Sequence, residues 1–329
     1  MRAEFLQRAK AWVDALPNRT TFVIMHNDNQ YYCQCASCAA VDAEEGSPSG
    51  SQMRFMNFLA EELTKHRPGI QLWMDAYGYS TKPPAITRPH PNLGPILCTP
   101  IKSQRLARDA EFLAKWRDWR IMAPRILIWD YVVSFGSFVN PWPNLRHLGP
   151  NISTLAENGA YGVFSQGNVF NSISDCEELK SWVIAHLLWD PSQDADALIT
   201  EFVSGYYGAA APSVMAYLDH IVACGDAVGE GLTGAESATA WLDLAAMNRA
   251  TQLLDAAKAA VAQDSVLAER VARVRLCLDH QWLLGWRQYR VQADHTGQPF
   301  LGPGTALQAL ETFRAANARF KSKIGRAHV

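Results

Sequence analysis

The chain has 329 residues, of which 48% are hydrophobic and 19% are charged, and its formal net charge is -2. This composition is typical of a globular protein, and the near-neutral charge gives no electrostatic reason to expect nucleic acid or an anionic membrane as a partner. No apolar stretch reaches the roughly 18 to 20 residues of a membrane-spanning helix. Residues 1–10 have an amphipathic helical pattern without the apolar core of a signal peptide, so we predict no export signal in this chain.

Short apolar runs alternate with helical patterns in the first half of the chain. Each run is apolar along most of its length, as expected of parallel strands covered on both faces. The predicted strands are residues 21–26, 70–76, 94–99, 125–131 and 161–165. Between them, apolar residues at helical spacing predict helices over residues 51–66 and 105–119.

The sequence changes character after residue 175, where no further strand pattern occurs and long Ala- and Leu-rich stretches have helical periodicity. These stretches predict helices over residues 178–189, 194–206, 211–227 and 265–289. We therefore predict an α/β domain over residues 1–175 and a helical domain over residues 176–323.

Three aspartates lie at or near the ends of predicted strands: Asp28, Asp75 and Asp130. In a (β/α) barrel the loops that leave the strand ends form the mouth of the pocket, so these carboxyl groups are candidates for chemistry. Hydrolysis of a glycosidic bond uses two carboxyl groups, or one carboxyl group and the N-acetyl group of the substrate. For each aspartate alone, a helix N-cap or a turn after the strand is an equal alternative.

Polar and aromatic side chains around these aspartates are the candidates for binding a sugar. They are Asn27, Asn29, Arg54, Asn57, Trp73, Asp75, Tyr77, Trp129, Tyr131 and Gln166. Flat rings can stack on sugar faces, but core packing is the alternative for each ring, and we expect it for Phe135 and Phe164. Arg54 and Asn57 share one face of a helix, where a helix-packing role is equally consistent with the spacing.

Three cysteines, Cys33, Cys35 and Cys38, lie within six residues of one another. With His26 or Cys98 as a fourth ligand, they could form a tetrahedral zinc site. A disulfide within the cluster and free thiols are the alternatives. Because the second Cys-x-x-Cys pair of a typical zinc site is absent, the sequence predicts no metal or other cofactor, and the three cysteines remain candidates only.

Several sequence blocks occur in a characteristic order along the chain. They are residues 27–29, 33–38, 45–50, 54–57, 129–135, 141–145, 162–167, 188–191 and 201–208. This succession resembles the bacterial family known as domain of unknown function 4838. That family overlaps glycoside hydrolase family 163, whose characterised members are endo-β-N-acetylglucosaminidases that act on N-glycans.

The resemblance implies a (β/α)8 barrel of the TIM type followed by helices, of which this chain would be a fragment containing about the last five strands. It implies a bacterial glycosidase outside the cytoplasm, with Asp28 and Asp130 as catalytic residues and a glycan or glycoprotein containing β-linked N-acetylglucosamine as substrate. The alternatives are a non-catalytic glycan-binding relative and a structural domain stabilised by a metal or a disulfide. Residues 324–329 match what a sequencing adapter would encode, so we expect a non-native tail there.

Overall fold

The computed structural model describes residues 2–101, 105–169, 173–229 and 241–320. The expected tail at residues 324–329 lies outside these ranges. No helix within them is both long enough and apolar enough to cross a membrane.

Five parallel strands form one curled, half-barrel sheet, with the strands in chain order from β1 to β5. They are Thr21–Val23 (β1), Gln71–Ala76 (β2), Leu93–Cys98 (β3), Leu127–Tyr131 (β4) and Gly162–Gln166 (β5). All five predicted strands are therefore confirmed. β1 ends before residue 26, where we expected its end, because the backbone N–H of His26 donates to the side chain of Asp75 at 3.1 Å and not to a backbone carbonyl of β2. The assignment to a (β/α)8 barrel remains a prediction.

Eleven α-helices of the described ranges lie before, between and after the strands. They are Arg2–Ala15 (α1), Ala36–Glu45 (α2), Ser49–His66 (α3), Ala110–Met122 (α4), Leu148–Glu157 (α5), Glu177–Trp189 (α6), Ala195–Tyr207 (α7), Ala211–Val228 (α8), Leu244–Ala260 (α9), Ser265–Thr296 (α10) and Ala306–Phe320 (α11). The helix predicted from residue 105 begins later, because the Asp109 side chain accepts a hydrogen bond from the backbone N–H of Phe112 at 2.9 Å and caps it.

The chain divides into two compact units. The first consists of Met1–Pro100, Ala107–Asp130 and Glu157–Phe164, and the second of Ile101–Leu106, Tyr131–Ala156 and Ser165–Val329. In the first unit, α3 packs on β2 and β3 and buries Met53, Met56 and Leu59, which recur at helical spacing. In the second unit, the apolar faces of α6 to α10 enclose the main core. The predicted domain boundary at residue 175 remains a prediction.

Candidate functional site

A buried histidine–aspartate pair joins the ends of β1 and β2. Asp75 is the second-to-last residue of β2 and its side chain is 2% exposed. His26 follows β1, and its Nε2 lies 2.9 Å from Asp75 Oδ2. Because parallel strands end at the same edge of a sheet, residues that follow neighbouring strands meet there.

Several polar groups surround this pair. His26 Nδ1 lies 2.7 Å from the carbonyl oxygen of Asn27, which can only accept, so Nδ1 carries a hydrogen. Nε2 contacts the Asp75 carboxyl group, and it also lies 3.1 Å from the carbonyl oxygen of Tyr77 and 3.2 Å from the Ser80 hydroxyl. A proton between Nε2 and Asp75 would make their 2.9 Å contact a hydrogen bond. Burial raises the pKa of Asp75, while hydrogen bonds from the His26 backbone and the Gln52 side chain oppose that rise.

Two tyrosines from the turn after β2 complete the arrangement. The hydroxyl of Tyr77 hydrogen-bonds the carboxyl group of Asp28, and burial together with the Asp28 charge raises the pKa of Tyr77 to about 12. Tyr79 stacks on His26 with ring centroids 4.3 Å apart, and burial raises its pKa to about 12 as well. Both hydroxyls are therefore protonated donors at neutral pH. We call His26, Asp28, Asp75, Tyr77 and Tyr79 the strand-end cluster.

The register of the sheet separates Asp130 from this cluster. Asp75 pairs with Ile96 of β3, and two residues later Cys98 pairs with Trp129 of β4. Because paired residues share a face and alternate residues return to it, Asp75 and Trp129 point to the same face of the sheet and Asp130 points to the other. On that other face, Asp130 is buried and accepts a hydrogen bond from the Thr99 hydroxyl at 3.0 Å.

The structure therefore joins Asp28 to the His26–Asp75 pair through Tyr77, whose hydroxyl bonds Asp28 and whose carbonyl oxygen lies 3.1 Å from His26 Nε2. It gives Asp130 no place in the strand-end cluster. A catalytic role for Asp130 remains a prediction.

The aromatic candidates differ in exposure. Trp129 contacts Phe164 edge to face with centroids 4.7 Å apart, and Phe164 is 52% exposed, so our expectation that Phe164 belongs to the core was wrong. Phe135 does pack against the helical core, as expected. Trp73 is only 4% exposed, and its ring covers Gly94 on β3. Trp129 and Phe164 thus offer ring surface to solvent, whereas Trp73 fills space inside the first unit.

The side chain of Arg54 is held by a buried glutamate. Its Nη2 and Nε lie 2.7 and 3.0 Å from Oε1 of Glu45, which is fully buried. The other carboxylate oxygen accepts from the backbone N–H groups of Ile86 and Thr87, each at 2.9 Å. Burial alone raises the pKa of Glu45, but the hydrogen bonds from Thr87, Ile86 and Arg54 outweigh it and lower that pKa to about 2.

Asn57 lies on the same face of α3 and fixes the same stretch of chain. Its Nδ2 donates to the carbonyl oxygen of Arg88 at 2.8 Å, and its Oδ1 accepts from the backbone N–H of His90 at 2.7 Å. The contacts of Arg54 and Asn57 thus favour the helix-packing alternative for both residues.

The remaining sequence candidates have local contacts. Asn27 is exposed, and the Asn29 side chain accepts from the backbone N–H of Tyr31 at 2.8 Å. Tyr131 and Gln166 belong to the second unit, where Tyr131 packs edge to face on a phenylalanine and the Gln166 backbone accepts a hydrogen bond. Their roles in binding remain predictions.

Gln52 was not among the sequence candidates. This α3 residue donates to Asp75 Oδ1 at 3.1 Å and to the Asp75 backbone oxygen at 3.2 Å. The sequence feature that could have identified Gln52 is its position directly before Met53, a buried residue of the apolar face of α3.

The three clustered cysteines come together at the start of α2. Their sulfur atoms all lie within 4.8 Å of one another, and each residue is a free thiol. Hydrogen bonds from the Ser37 hydroxyl and the Cys38 backbone lower the pKa of Cys35 to about 6, while hydrogen bonds with Cys33 and Cys35 raise the pKa of Cys38 to about 12. Among the described residues, neither of the expected fourth ligands, His26 and Cys98, belongs to this group.

Comparison with known proteins identifies the family of the chain. The family model described as Domain of unknown function (DUF4838) matches residues 1–219, which is two thirds of the sequence. No protein of curated function is similar enough to match. The matched region contains the entire sheet and all residues of the strand-end cluster. The chain therefore belongs to the DUF4838 family.

Proposed function

We propose that this protein is a glycoside hydrolase that acts on β-linked glycans containing N-acetylglucosamine, as the resemblance to glycoside hydrolase family 163 implies. The observation that supports this most is the strand-end cluster. It combines a buried carboxyl group, paired with a histidine at 2.9 Å, with an exposed carboxylate bonded to a tyrosine hydroxyl. These are the groups that hydrolysis assisted by the N-acetyl group of the substrate requires.

In this proposal Asp28 and Tyr77 bind the acetamido group of the sugar. The carboxylate of Asp28 accepts a hydrogen bond from the acetamido N–H, and the Tyr77 hydroxyl turns from Asp28 to the acetamido oxygen. That oxygen attacks the anomeric carbon, so both contacts align the nucleophile. The Tyr77 hydroxyl suits this role because its raised pKa keeps it a donor over the whole working range.

The leaving oxygen needs a proton, which we assign to the pair formed by Asp75 and His26. Burial raises the pKa of Asp75, and a raised pKa is what a carboxyl group needs in order to act as an acid near neutral pH. Gln52 and the His26 backbone hold the carboxyl group in place. Asp130, the other candidate from the sequence, competes with Asp75 for this role.

The resemblance also leads us to propose that the chain is part of a longer (β/α)8 protein. The half-barrel sheet is open, and on the side of β1 the apolar side chains of Val23 and Met25 are 42% and 44% exposed. Additional strands of a barrel would cover such side chains.

A glycan-binding protein without turnover is the second candidate function. The exposed Phe164 beside Trp129 favours it, because such rings bind sugars whether or not the carboxyl groups react. A purely structural domain stabilised by a metal or a disulfide would bind no glycan.

The test measures release of glycans from an N-glycoprotein by mass spectrometry, with this chain and with the protein encoded by a gene extended upstream. Asp28→Asn should abolish release. Asp75→Asn should abolish it on the glycoprotein but retain turnover of an aryl glycoside, whose good leaving group needs little protonation. If Asp130→Asn abolishes release while Asp75→Asn does not, the proton comes from Asp130. Binding without release favours the second candidate, and neither binding nor release contradicts both functions.

A further inference from the structure

We propose that Cys33, Cys35 and Cys38 bind one zinc ion through three thiolates, with the fourth coordination position open to water or an external ligand. The basis is the convergence of three sulfur atoms within 4.8 Å of one another on a short exposed segment. This inference does not depend on the proposed glycosidase activity.

The distances between the sulfurs are close to those of an occupied site. Zinc–sulfur bonds of about 2.3 Å at tetrahedral angles place two sulfurs roughly 3.8 Å apart. The observed limit of 4.8 Å therefore requires a contraction of at most about 1 Å. Because Cys33 and Cys35 are exposed, rotation of their side chains can supply this movement without disturbing a packed core.

Helix α2 orients the sulfurs. Cys35 is its N-cap residue, and Cys38 lies in its first turn. The Ser37 hydroxyl lies 3.3 Å from Cys35 Sγ, and the Cys38 backbone N–H also hydrogen-bonds this sulfur. Donors of this kind are typical outer partners of metal-bound thiolates, because they disperse the charge on the sulfur.

The described part of the chain supplies three ligands to this cluster and no fourth one. His26 uses its two ring nitrogens on the Asn27 carbonyl oxygen and on Asp75, and Cys98 is buried in β3. No fourth histidine, cysteine or carboxylate joins the three sulfurs within the described ranges. A site with three protein ligands and one open position can exchange its fourth ligand, unlike a closed structural site.

The chemistry of the ligands selects the metal. Thiolates favour Zn²⁺ and other soft or borderline ions over Mg²⁺ or Ca²⁺, which prefer oxygen ligands. On binding, any thiol protons that remain on the three cysteines pass to the buffer, and three zinc–sulfur bonds form without a change in oxidation state. The ion would tie residue 33 to the first turn of α2 and so restrain the loop that precedes it.

The test uses the full chain, reduced and stripped of metal, then loaded with Zn²⁺ or Co²⁺ and desalted. We expect about one ion per chain, and with cobalt a thiolate-to-metal charge-transfer band in the near ultraviolet. Cys33→Ser, Cys35→Ser and Cys38→Ser should each lower the affinity by more than about 100-fold, the upper end of what loss of an outer-shell partner costs. The matched control is Cys224→Ser, a half-buried free thiol in α8, which should bind like the wild type.

Two results would overturn the proposal. One is a reduced wild-type chain that takes up no more zinc than the variant in which all three clustered cysteines are serine. The other is a disulfide within the cluster that forms in the presence of zinc and excludes the ion. Circular dichroism of each variant verifies that the chain is folded, so that a loss of binding reports on the ligands.

Discussion

The buried carboxylate of Glu45 provides a test of the electrostatics of the first unit. Its pKa is about 2, against an ordinary value of 4.5. One pKa unit corresponds to about 1.4 kcal/mol, so the interactions of the ionised group stabilise the fold by about 3 kcal/mol at neutral pH. We expect Glu45→Gln to lower the free energy of unfolding by about 3 to 5 kcal/mol, because it also leaves buried donors facing an amide.

The neighbouring residue Glu44 gives a matched control. Its carboxylate lies 2.8 Å from the same Arg54 guanidinium, but its side chain is 57% exposed. Exposed ion pairs contribute little, so Glu44→Gln should change the free energy of unfolding by less than about 1 kcal/mol. The two variants remove the same charge from adjacent positions and differ mainly in burial.

The effect of Glu45→Gln should depend on pH in a defined direction. Because folding lowers the pKa of Glu45, its stabilisation is complete above the unfolded pKa and is lost as the pH falls toward the folded pKa of about 2. Urea unfolding followed by tryptophan fluorescence should therefore show a difference from wild type that shrinks by about 2 kcal/mol between about pH 7 and about pH 3. An equal loss in Glu44→Gln, or a difference that does not change with pH, would refute this reasoning.

Three further predictions address the site and the packing. Tyr77→Phe should reduce glycan release by roughly 100-fold without altering circular dichroism, since it removes one donor, and an unchanged rate would exclude Tyr77 from the chemistry. Gly94→Ala should destabilise the chain by about 1 to 3 kcal/mol in urea unfolding, because the added Cβ would lie 2.4 Å from the buried indole of Trp73. The control Gly205→Ala should be neutral or stabilising, because its added Cβ meets no atom within 4 Å. Lys180→Met should cost about 3 to 5 kcal/mol in the same assay, because Lys180 Nζ lies 2.7 Å from buried Asp175, and a second change of Asp175→Leu should recover part of the loss.

The elements of the fold could be predicted because their signals are local. Each strand is a short apolar run, and each run became a strand of one parallel sheet. The ends were less predictable, because single side chains decide them. Asp109 caps α4, so this helix begins at residue 110 and not at the predicted residue 105. The backbone N–H of His26 donates to the Asp75 side chain, so β1 is shorter than predicted.

The composition of the site was harder to predict, because strands that are apolar on both faces do not reveal which way each residue points. Asp75 and Asp130 both lie near strand ends, yet the register places them on opposite faces of the sheet. For Arg54 the sequence is equally consistent with binding and with helix packing, and its partner Glu45 lies only nine positions earlier. The sequence contains no sign that this glutamate is buried, since the burial depends on backbone donors more than 40 residues away.

The loop between β1 and α2 connects the two sites proposed here. At its start, His26 is fixed by Asp75, and at its end Cys33 and Cys35 lead into the first turn of α2, which contains Cys38. Asp28 lies between these anchors, exposed, with the Tyr77 hydroxyl as a hydrogen-bonding neighbour. The position of the Asp28 carboxylate therefore depends on both anchors, because a short exposed loop has little packing of its own to hold it. A metal at the cysteines would restrict the loop without touching the buried His26–Asp75 pair, so it would change the alignment of Asp28 while leaving the proton of that pair unaffected.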